Sequence, residues 1–479
     1  MKTLRQPIIL GLTLCVALLL FAGGATYLPV LAFPDPSPGQ LAQPIERPGD
    51  IDRFRTALER AGFAVQEGRL SKFELIPYCC AGVTPSCYAN NAGAPYMVAI
   101  LPDAPGQTAD DGAPNLFRLG ANEAVILVGQ TPPPEAYFSY QPFLYYRYSQ
   151  QQQGYVEIAE PVGDTINNLT IQTRGPDPFD EDVIIVATAD RGIDGQVRAA
   201  ARRAGYPASI LNTLPIPSAV THLGIDEQAD GFSFVHRNFR PQPGYEQALQ
   251  DYLNTPQVVL RATYTGGAQP DPFPVPQLRV RGTGQTEMDL LPAVEDLRAA
   301  ILAQYSDLQA TELTTEVWLT DGYDGLQRMI NQWAPTRDTL YLRTIPDFQL
   351  PDGPDDFVIV YGTNHEVTGK ATYSNAGIYA SESLLLGVVS EHSGRFKGSA
   401  QDYLPNHPAV DSLYAWKVAR NCHGEAHCLE VKIEGCAKMD LNTLPEMWMG
   451  FRMYLEPSTA VGPAFTEVIY DRAIVFHAK

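Results

Sequence analysis

Short apolar runs that alternate with turn residues and amphipathic stretches predict a chain of mixed strands and helices. Asp182–Thr188 is predicted to be a buried strand, and Asp190–Gly192 a turn before an amphipathic helix that ends at Gly205. Similar strand–helix–strand series fit residues 232–264 and 313–343. The three series share no residue-level repeat, so their similarity is one of architecture.

The same patterns predict elements on either side of these units. A helix is expected at Asp52–Ala61, with Gly62 as its terminator, and another after Thr286, where apolar residues recur on one face. Beyond Asp356 the pattern becomes rich in strands. We therefore predict an α+β protein with mixed sheets and several β-α units, folded as two or three packed lobes and braced by disulfides.

Proline-rich segments suggest where the domains divide. The predicted order is a signal peptide or N-terminal membrane anchor at 1–33, a proline-rich spacer at 34–49, an N-terminal α+β lobe at 50–268, a proline-rich linker at 269–277, and a C-terminal α+β lobe at 278–479. A body of this length exceeds the about 250 to 300 residues that one hydrophobic core usually serves.

The N-terminus carries the features of an export segment. Lys2 and Arg5 precede a run from Ile8 to Phe33 that contains no charged residue. Its apolar part approaches the about 20 residues that span a bilayer, so cleavage by signal peptidase and retention as an anchor both fit. With the positive residues on the cytoplasmic side, either outcome places the remaining chain outside, secreted or membrane-anchored.

The cysteines beyond this segment form two triplets at opposite ends of the chain. An oxidising destination makes disulfides their expected use. Because three is odd, full pairing requires at least one bridge between the triplets, although six cysteines allow about 15 pairings. Adjacent cysteines bond to each other only with strain, so each of the first two is expected to pair elsewhere. The predicted disulfide residues are Cys79, Cys80, Cys87, Cys422, Cys428 and Cys436.

Composition narrows the range of partners. The formal net charge of −20 argues against nucleic acid and against anionic membrane surfaces, because both repel an acidic protein. Hydrophobic residues at 45% and charged residues at 18% indicate a compact body with a substantial core. The expected partner is an unknown ligand or surface component, with membrane contact only through the N-terminal segment.

Two pairs of imidazole and carboxylate groups are the candidate catalytic residues. His365 and Glu366 fall between two predicted strands, and His392 follows Glu391 at the end of a later strand. Such pairs can transfer protons near neutral pH, and they would share a pocket if their strands were neighbours. The alternative is a polar turn, since adjacent residues on a strand point to opposite faces.

Metal sites are considered but not favoured. Cys422, His423, His427 and Cys428 offer zinc-ligand types, yet their spacing matches no standard zinc motif and the compartment favours a disulfide. Acidic groups such as Asp177–Asp182 lack the spacing of a calcium loop, so we predict solvated turns there. No cofactor is predicted, with zinc and calcium kept as alternatives.

The most aromatic segment of the chain extends from Tyr137 to Tyr148. Exposed rings such as Tyr137 and Tyr140 would bind a sugar or an apolar ligand. The alternative is a core strand, because alternate aromatic residues in this segment share one face.

Several catalytic signatures are absent from the sequence, namely G-x-S-x-G, H-E-x-x-H, the phosphate-binding P-loop and G-x-G-x-x-G. The predicted function is therefore a structural or ligand-binding role at the cell surface. The alternative is an extracytoplasmic hydrolase that uses His365, Glu366 and His392, with or without a metal. Whether the protein is an enzyme stays open.

Overall fold

The computed structural model describes residues 51–479, apart from positions 83, 85, 110, 268, 269, 320, 321, 381, 382 and 437. The predicted export segment at 1–33 and the spacer at 34–49 lie outside the described residues. Within the described part of the chain, no helix has the length and apolar character needed to cross a membrane.

The helices and strands follow one another in mixed order. The helices are α1 Ile51–Arg60, α2 Leu75–Ala81, α3 Arg191–Arg203, α4 Glu246–Asn254, α5 Leu291–Gln304, α6 Asp324–Arg328 and α7 Ser393–Phe396. The strands before α5 are β1 Phe63–Phe73, β2 Tyr96–Ile100, β3 Phe117–Arg118, β4 Glu123–Gln130, β5 Glu135–Ser149, β6 Gly154–Pro161, β7 Ile166–Asn167, β8 Asp182–Thr188, β9 Leu211–Pro215, β10 Gly231–Pro241 and β11 Gln257–Tyr264. The strands after α5 are β12 Gln309–Val317, β13 Thr339–Ile345, β14 Phe357–Thr363, β15 Tyr373–Ala380, β16 Leu386–His392, β17 Leu413–Ala419, β18 Cys428–Glu430, β19 Met447–Tyr454 and β20 Arg472–His477.

These strands form two sheets with the same topology. The first sheet has the order β6-β5-β10-β2-β1-β11-β4-β8-β9, with short β3 beside β10 and short β7 beside β5. The second has the order β16-β15-β19-β13-β12-β20-β14-β17-β18. When β3 and β7 are left out and the strands of each sheet are numbered from one to nine along the chain, the two sheets have the same strand order. We call the stretch from α1 to β11 the first half and the stretch from α5 to β20 the second half.

Strand direction repeats as well. The last pair of each order, β8 with β9 and β17 with β18, is parallel, and the other pairs in both orders are antiparallel. In the first half α3 connects the parallel strands. In the second half a short loop closed by the Cys422–Cys428 disulfide takes its place.

Hydrophobic packing follows the repeat. Helices α1 and α3 pack on β4, β8 and β11, and α5 packs on the equivalent strands β14, β17 and β20. The second and third strands of each order meet those of the other, and rings from β5 and β10 contact rings from β15 and β19. This contact buries Tyr137, Phe239, Tyr373 and Tyr454 in one cluster.

The predicted fold class is confirmed, since the structure has helices with extensive mixed sheets that pack as two lobes braced by disulfides. The first two β-α units match α3 and α4 with their flanking strands. In the third unit the helix is shorter than the sequence suggests and ends at Arg328. The helix stops there because Met329 has a φ of 54°, a left-handed conformation that an α-helix does not continue.

The disulfide prediction is also confirmed. Cys79 bonds to Cys87, Cys422 bonds to Cys428, and the third bridge joins Cys80 to Cys436. This third bridge spans 356 residues and links the first half to the second, as the odd number in each triplet requires. Such bonds are typical of proteins in oxidising, extracytoplasmic compartments.

Removing the long bridge is expected to destabilise the protein more than removing a short one. The chain-entropy model gives roughly 6 kcal/mol for a loop as long as that of Cys80–Cys436 and about 2 kcal/mol for one as short as that of Cys422–Cys428. Each pair joins one buried and one half-buried cysteine, which makes C422A/C428A a matched control for C80A/C436A. Urea unfolding of both variants measures the difference, and equal losses would contradict the prediction.

Candidate ligand-binding site between the two sheets

A loop from each half enters the space between the sheets in an unusual backbone conformation. Tyr88 and Ala89 precede β2 and have φ angles of 49° and 50°. Trp333 and Ala334 precede β13 at the equivalent place and have φ angles of 59° and 54°. Left-handed backbone at residues with side chains is unfavourable and is found mostly where the surrounding structure imposes it, often at functional sites.

Each loop is held by the opposite half through equivalent backbone hydrogen bonds. The amide of Ala89 donates to the carbonyl of Leu385 at 3.0 Å, and the amide of Ala334 donates to the carbonyl of Ala159 at 2.9 Å. The disulfide from Cys79 to Cys87 anchors the first loop directly before Tyr88.

An arginine on the third strand of each sheet order faces these loops. Arg237 on β10 lies opposite Tyr96 on β2, and Arg452 on β19 lies opposite Tyr341 on β13, at the same register. Each guanidinium also stacks between two rings. Arg237 lies 5.8 Å from the ring centre of Tyr96 and 5.1 Å from that of Phe143.

Arg452 repeats this geometry with the rings of its own half. Its guanidinium lies 5.4 Å from the ring centre of Tyr341 and 5.6 Å from that of Tyr379. Cation–π contacts of this kind hold a guanidinium in place without neutralising its charge.

The two arginines bind reciprocally across the halves. Arg237 donates through Nη2 to the carbonyl of Ala334 at 2.8 Å, and Arg452 donates through Nη2 to the carbonyl of Ala89. A pair of contacts exchanged in this way is the pattern of an interface between two equivalent subunits, here formed within one chain.

The charges of both arginines are buried and poorly compensated. Each residue is 7% exposed, and neither forms an ion pair with a carboxylate among the described residues. Asp338 interacts electrostatically with Arg237, but its carboxylate instead accepts hydrogen bonds from Tyr137 at 2.9 Å and Asn167 at 3.0 Å. Burial raises the pKa of Asp338 above its ordinary value despite these bonds.

The arginines and loops line a cavity of about 150 Å³, which we call the central cavity. Aromatic residues of both halves contribute seven side chains to its wall, and no aspartate or glutamate is among the residues that line it. Its volume equals the about 150 Å³ of an engineered apolar cavity that binds benzene. The ring-bearing residues of the wall are Phe73, Tyr88, Tyr96, Tyr145, Trp318, Trp333 and Tyr341.

This arrangement can bind a small apolar molecule, and it offers positive charge at one part of the wall. Comparison with known proteins adds no family to this description, because no protein-family model and no curated protein matches the chain.

The predicted catalytic residues lie elsewhere, in the second half. His365 is buried, with Nδ1 at 2.8 Å from Oε1 of Glu287 and Nε2 at 3.2 Å from Oδ2 of Asp471. Asp471 in turn accepts a hydrogen bond from the Tyr414 hydroxyl at 2.7 Å. Burial acts to lower the pKa of His365, but the two carboxylates outweigh it and raise the pKa to about 10. His365 is therefore a charged link between its own loop, the segment of Glu287 that precedes α5, and Asp471 directly before β20.

Glu366 points away from this cluster. Its carboxylate accepts two hydrogen bonds from Arg240 of the first half, at 2.7 and 2.8 Å, and one from Ser393 at 2.7 Å. Burial acts to raise the pKa of Glu366, but these partners outweigh it and lower the pKa. Glu366 thus belongs to an ion pair between the halves.

His392 and Glu366 are 26 positions apart in the sequence, but both interact electrostatically with Arg240. It lines an open cleft of about 820 Å³ together with Arg240 and Arg395. Burial lowers the pKa of His392 to about 4, assisted by the two arginines, so the ring is neutral at neutral pH. The structure therefore brings Glu366 and His392 together and keeps His365 in a separate buried cluster.

The rings predicted to contact a ligand are those of Tyr137 and Tyr140. Both are fully buried, on opposite faces of β5. Tyr137 belongs to the ring cluster between the sheets, and Tyr140 stacks on His236 with ring centres 4.1 Å apart. From the same segment, Tyr145 is the ring that reaches the central cavity.

The zinc alternative loses its thiol ligands, because Cys422 and Cys428 are bonded to each other. The sulfur atoms of Cys79, Cys80 and Cys87 also lie close together, but all three are in disulfides.

The central arginines and loops were not found by sequence reasoning. Their signal is a short repeat in which an aromatic–Ala pair precedes a tyrosine at the same interval, in Tyr88-Ala89 before Tyr96 and Trp333-Ala334 before Tyr341. The three β-α units do not repeat one another, whereas the two halves repeat the same strand order.

The buried imidazolium predicts a specific pH dependence of stability. The pKa of His365 is raised from 6.5 to about 10 in the folded protein. The charged histidine therefore contributes stability that is fully present below pH 6.5 and is lost as the pH rises to about 10. We expect His365→Gln to lower the unfolding free energy by about 3 to 5 kcal/mol near pH 6, because it leaves buried carboxylates unpaired. The deficit should shrink as the pH approaches 10.

Urea unfolding across this pH range measures the effect. The exposed His423 offers a control, since its side chain forms no hydrogen bond or ion pair with described residues and H423Q should not alter the pH profile. A deficit of H365Q that stayed constant from neutral to alkaline pH would show that the histidine is not charged in the folded protein.

Proposed function

We propose that this protein binds a small ring-containing molecule in the central cavity, outside the cytoplasm. The observation that carries the proposal is the pair of buried arginines, Arg237 and Arg452, which face an aromatic cavity without a carboxylate partner. Burying an uncompensated charge is unfavourable by several kcal/mol, and a hydrogen bond from each arginine to a backbone carbonyl, that of Ala334 or Ala89, does not neutralise that charge.

The wall of the cavity supports binding rather than structure alone. A packed interface between two sheets usually leaves no space larger than a water molecule. Here the rings of Trp318, Trp333 and Tyr88 surround an opening instead of filling it. The left-handed loops that present Tyr88 and Trp333 keep these rings at the rim.

The extracytoplasmic location is supported by two independent features. Three disulfides indicate an oxidising compartment, and the N-terminal sequence carries an export pattern. Secretion and retention at the membrane both agree with these features. In either case a cavity between disulfide-braced lobes is accessible to ligands outside the cell.

The hydrolase alternative stays a prediction. His365 has both ring nitrogens engaged by carboxylates and a side chain that is 2% exposed, which leaves no nitrogen to exchange a proton with a substrate. His392 lines an open cleft, but Arg240 engages both oxygens of the nearby Glu366 carboxylate.

Filling the cavity is expected to abolish binding while the fold persists. Val235 on β10 lines the cavity and is only partly buried, so Val235→Phe places a ring where the ligand would lie. We expect the affinity for one-ring probes such as p-cresol and benzoate to fall by about tenfold or more, which corresponds to about 1.4 kcal/mol. Ligand-observed NMR with each probe measures this change.

Val280 provides the control, because it is 80% exposed and V280F introduces the same ring outside the cavity. That variant should bind the probes as the unchanged protein does. Equal binding by V235F and V280F would place the probes elsewhere and contradict the proposal.

A further inference from the structure

We infer that the ligand of the central cavity carries an anionic group of the carboxylate type, which Arg237 and Arg452 hold between them. The inference rests on the proposed function and adds the chemical class of the ligand: a molecule with one apolar ring and one negative charge. It follows from the charge, the free donors, the rigidity and the volume of the site.

The charge of the cavity is opposite to that of the protein. The chain has a formal net charge of −20, yet the wall of the cavity contains two arginines and no acidic residue. Arginine stays protonated even when buried, so the positive charge is not relieved by proton loss. An anion that enters the cavity supplies the compensation that the protein itself does not.

Each guanidinium group of these two cavity-lining residues has a buried donor without a hydrogen-bond partner among the described residues. Arg237 donates through Nη2 to Ala334, and its buried Nη1 has no hydrogen-bond partner. Arg452 donates through Nη2 to Ala89 and through Nη1 to the Tyr454 hydroxyl at 3.4 Å, while its buried Nε has no partner. Buried donors without partners are rare, and the planar fork of arginine matches the two oxygens of a carboxylate.

Each guanidinium group lies against two aromatic rings of its own half. Tyr96, Tyr341 and Tyr454 each interact electrostatically with both guanidinium groups, which places the arginines around one set of rings. Stacking between two rings holds each group before a ligand arrives, so little conformational entropy is lost on binding.

The volume and the wall limit the rest of the ligand. A cavity of about 150 Å³ accepts a single six-membered ring, as the engineered cavity of that size does. The surrounding rings of Phe73, Trp318 and Trp333 favour an apolar body over a hydroxylated one.

Benzoate and benzamide test the inference, because they share a ring and a shape but differ in charge. We expect the unchanged protein to bind benzoate about tenfold more tightly or better, since hydrogen bonds to charged groups in a desolvated site exceed neutral ones by this margin. Isothermal titration calorimetry at one pH and one ionic strength measures both affinities. This comparison needs no variant, so it does not depend on how a mutant folds.

Variants then assign the charge preference to the arginines. Arg452→Gln and Arg237→Gln should each reduce the ratio of benzoate to benzamide affinity, with thermal melting used to confirm that the protein is folded. Arg203→Gln is the matched control, because Arg203 is exposed at the end of α3, away from the cavity wall, and its loss changes the net charge equally. That control should leave the ratio unchanged.

The outcomes separate the inference from the proposed function. Equal affinity for benzoate and benzamide would overturn the anionic ligand while the binding cavity stands. Binding of neither compound would overturn both. If folded R452Q and R237Q lose stability but keep the benzoate preference, the arginines serve only to join the halves and the inference fails.

Discussion

The reciprocal contact between the two sheets is the constraint on which the rest of this structure depends. Each half presents an arginine, from β10 or from β19, to a backbone carbonyl of the other half, Arg237 to Ala334 and Arg452 to Ala89. These contacts require the loops to enter the interface with left-handed backbone, and they require the rings around each guanidinium to stand apart. The central cavity is the space that results from these requirements.

Further polar contacts keep the halves in register. The ion pair between Arg240 and Glu366 joins them beside the open cleft, and the Cys80–Cys436 bridge joins them near the loop that carries Tyr88. Within the second half, Lys370 is buried against Glu456 and Glu467, and His365 against two further carboxylates. Because a buried charge is unfavourable unless it is paired, these groups specify which segments may lie together.

These ion pairs differ from the two arginines of the central cavity, which have no carboxylate partner in the part of the chain that the structure describes. Buried Arg147 binds Asp230 at 2.7 and 2.9 Å, and buried Arg118 binds Asp111 at 2.9 Å. The protein therefore provides carboxylates for some of its buried arginines, whereas Arg261, like the central pair, is buried and forms no ion pair with a carboxylate among the described residues. The absence of carboxylates from the wall of the central cavity leaves positive charge and free donors at one place in an acidic molecule.

The sequence by itself determined the elements, the α+β class and the disulfide chemistry. Apolar periodicity located most strands and helices because burial of a face acts locally, and the odd count in each cysteine triplet required a bridge between the ends of the chain. The sequence could not show which strands pair. The residue pattern around Arg452 predicts a strand with a buried face, but it does not identify the strands that lie beside it. The cavity depends on residues more than two hundred positions apart, such as Tyr96 and Tyr341, that meet only when two sheets of equal topology pack face to face. That packing is a property of the tertiary structure, since it rests on shape and charge complementarity between surfaces that neither half possesses alone.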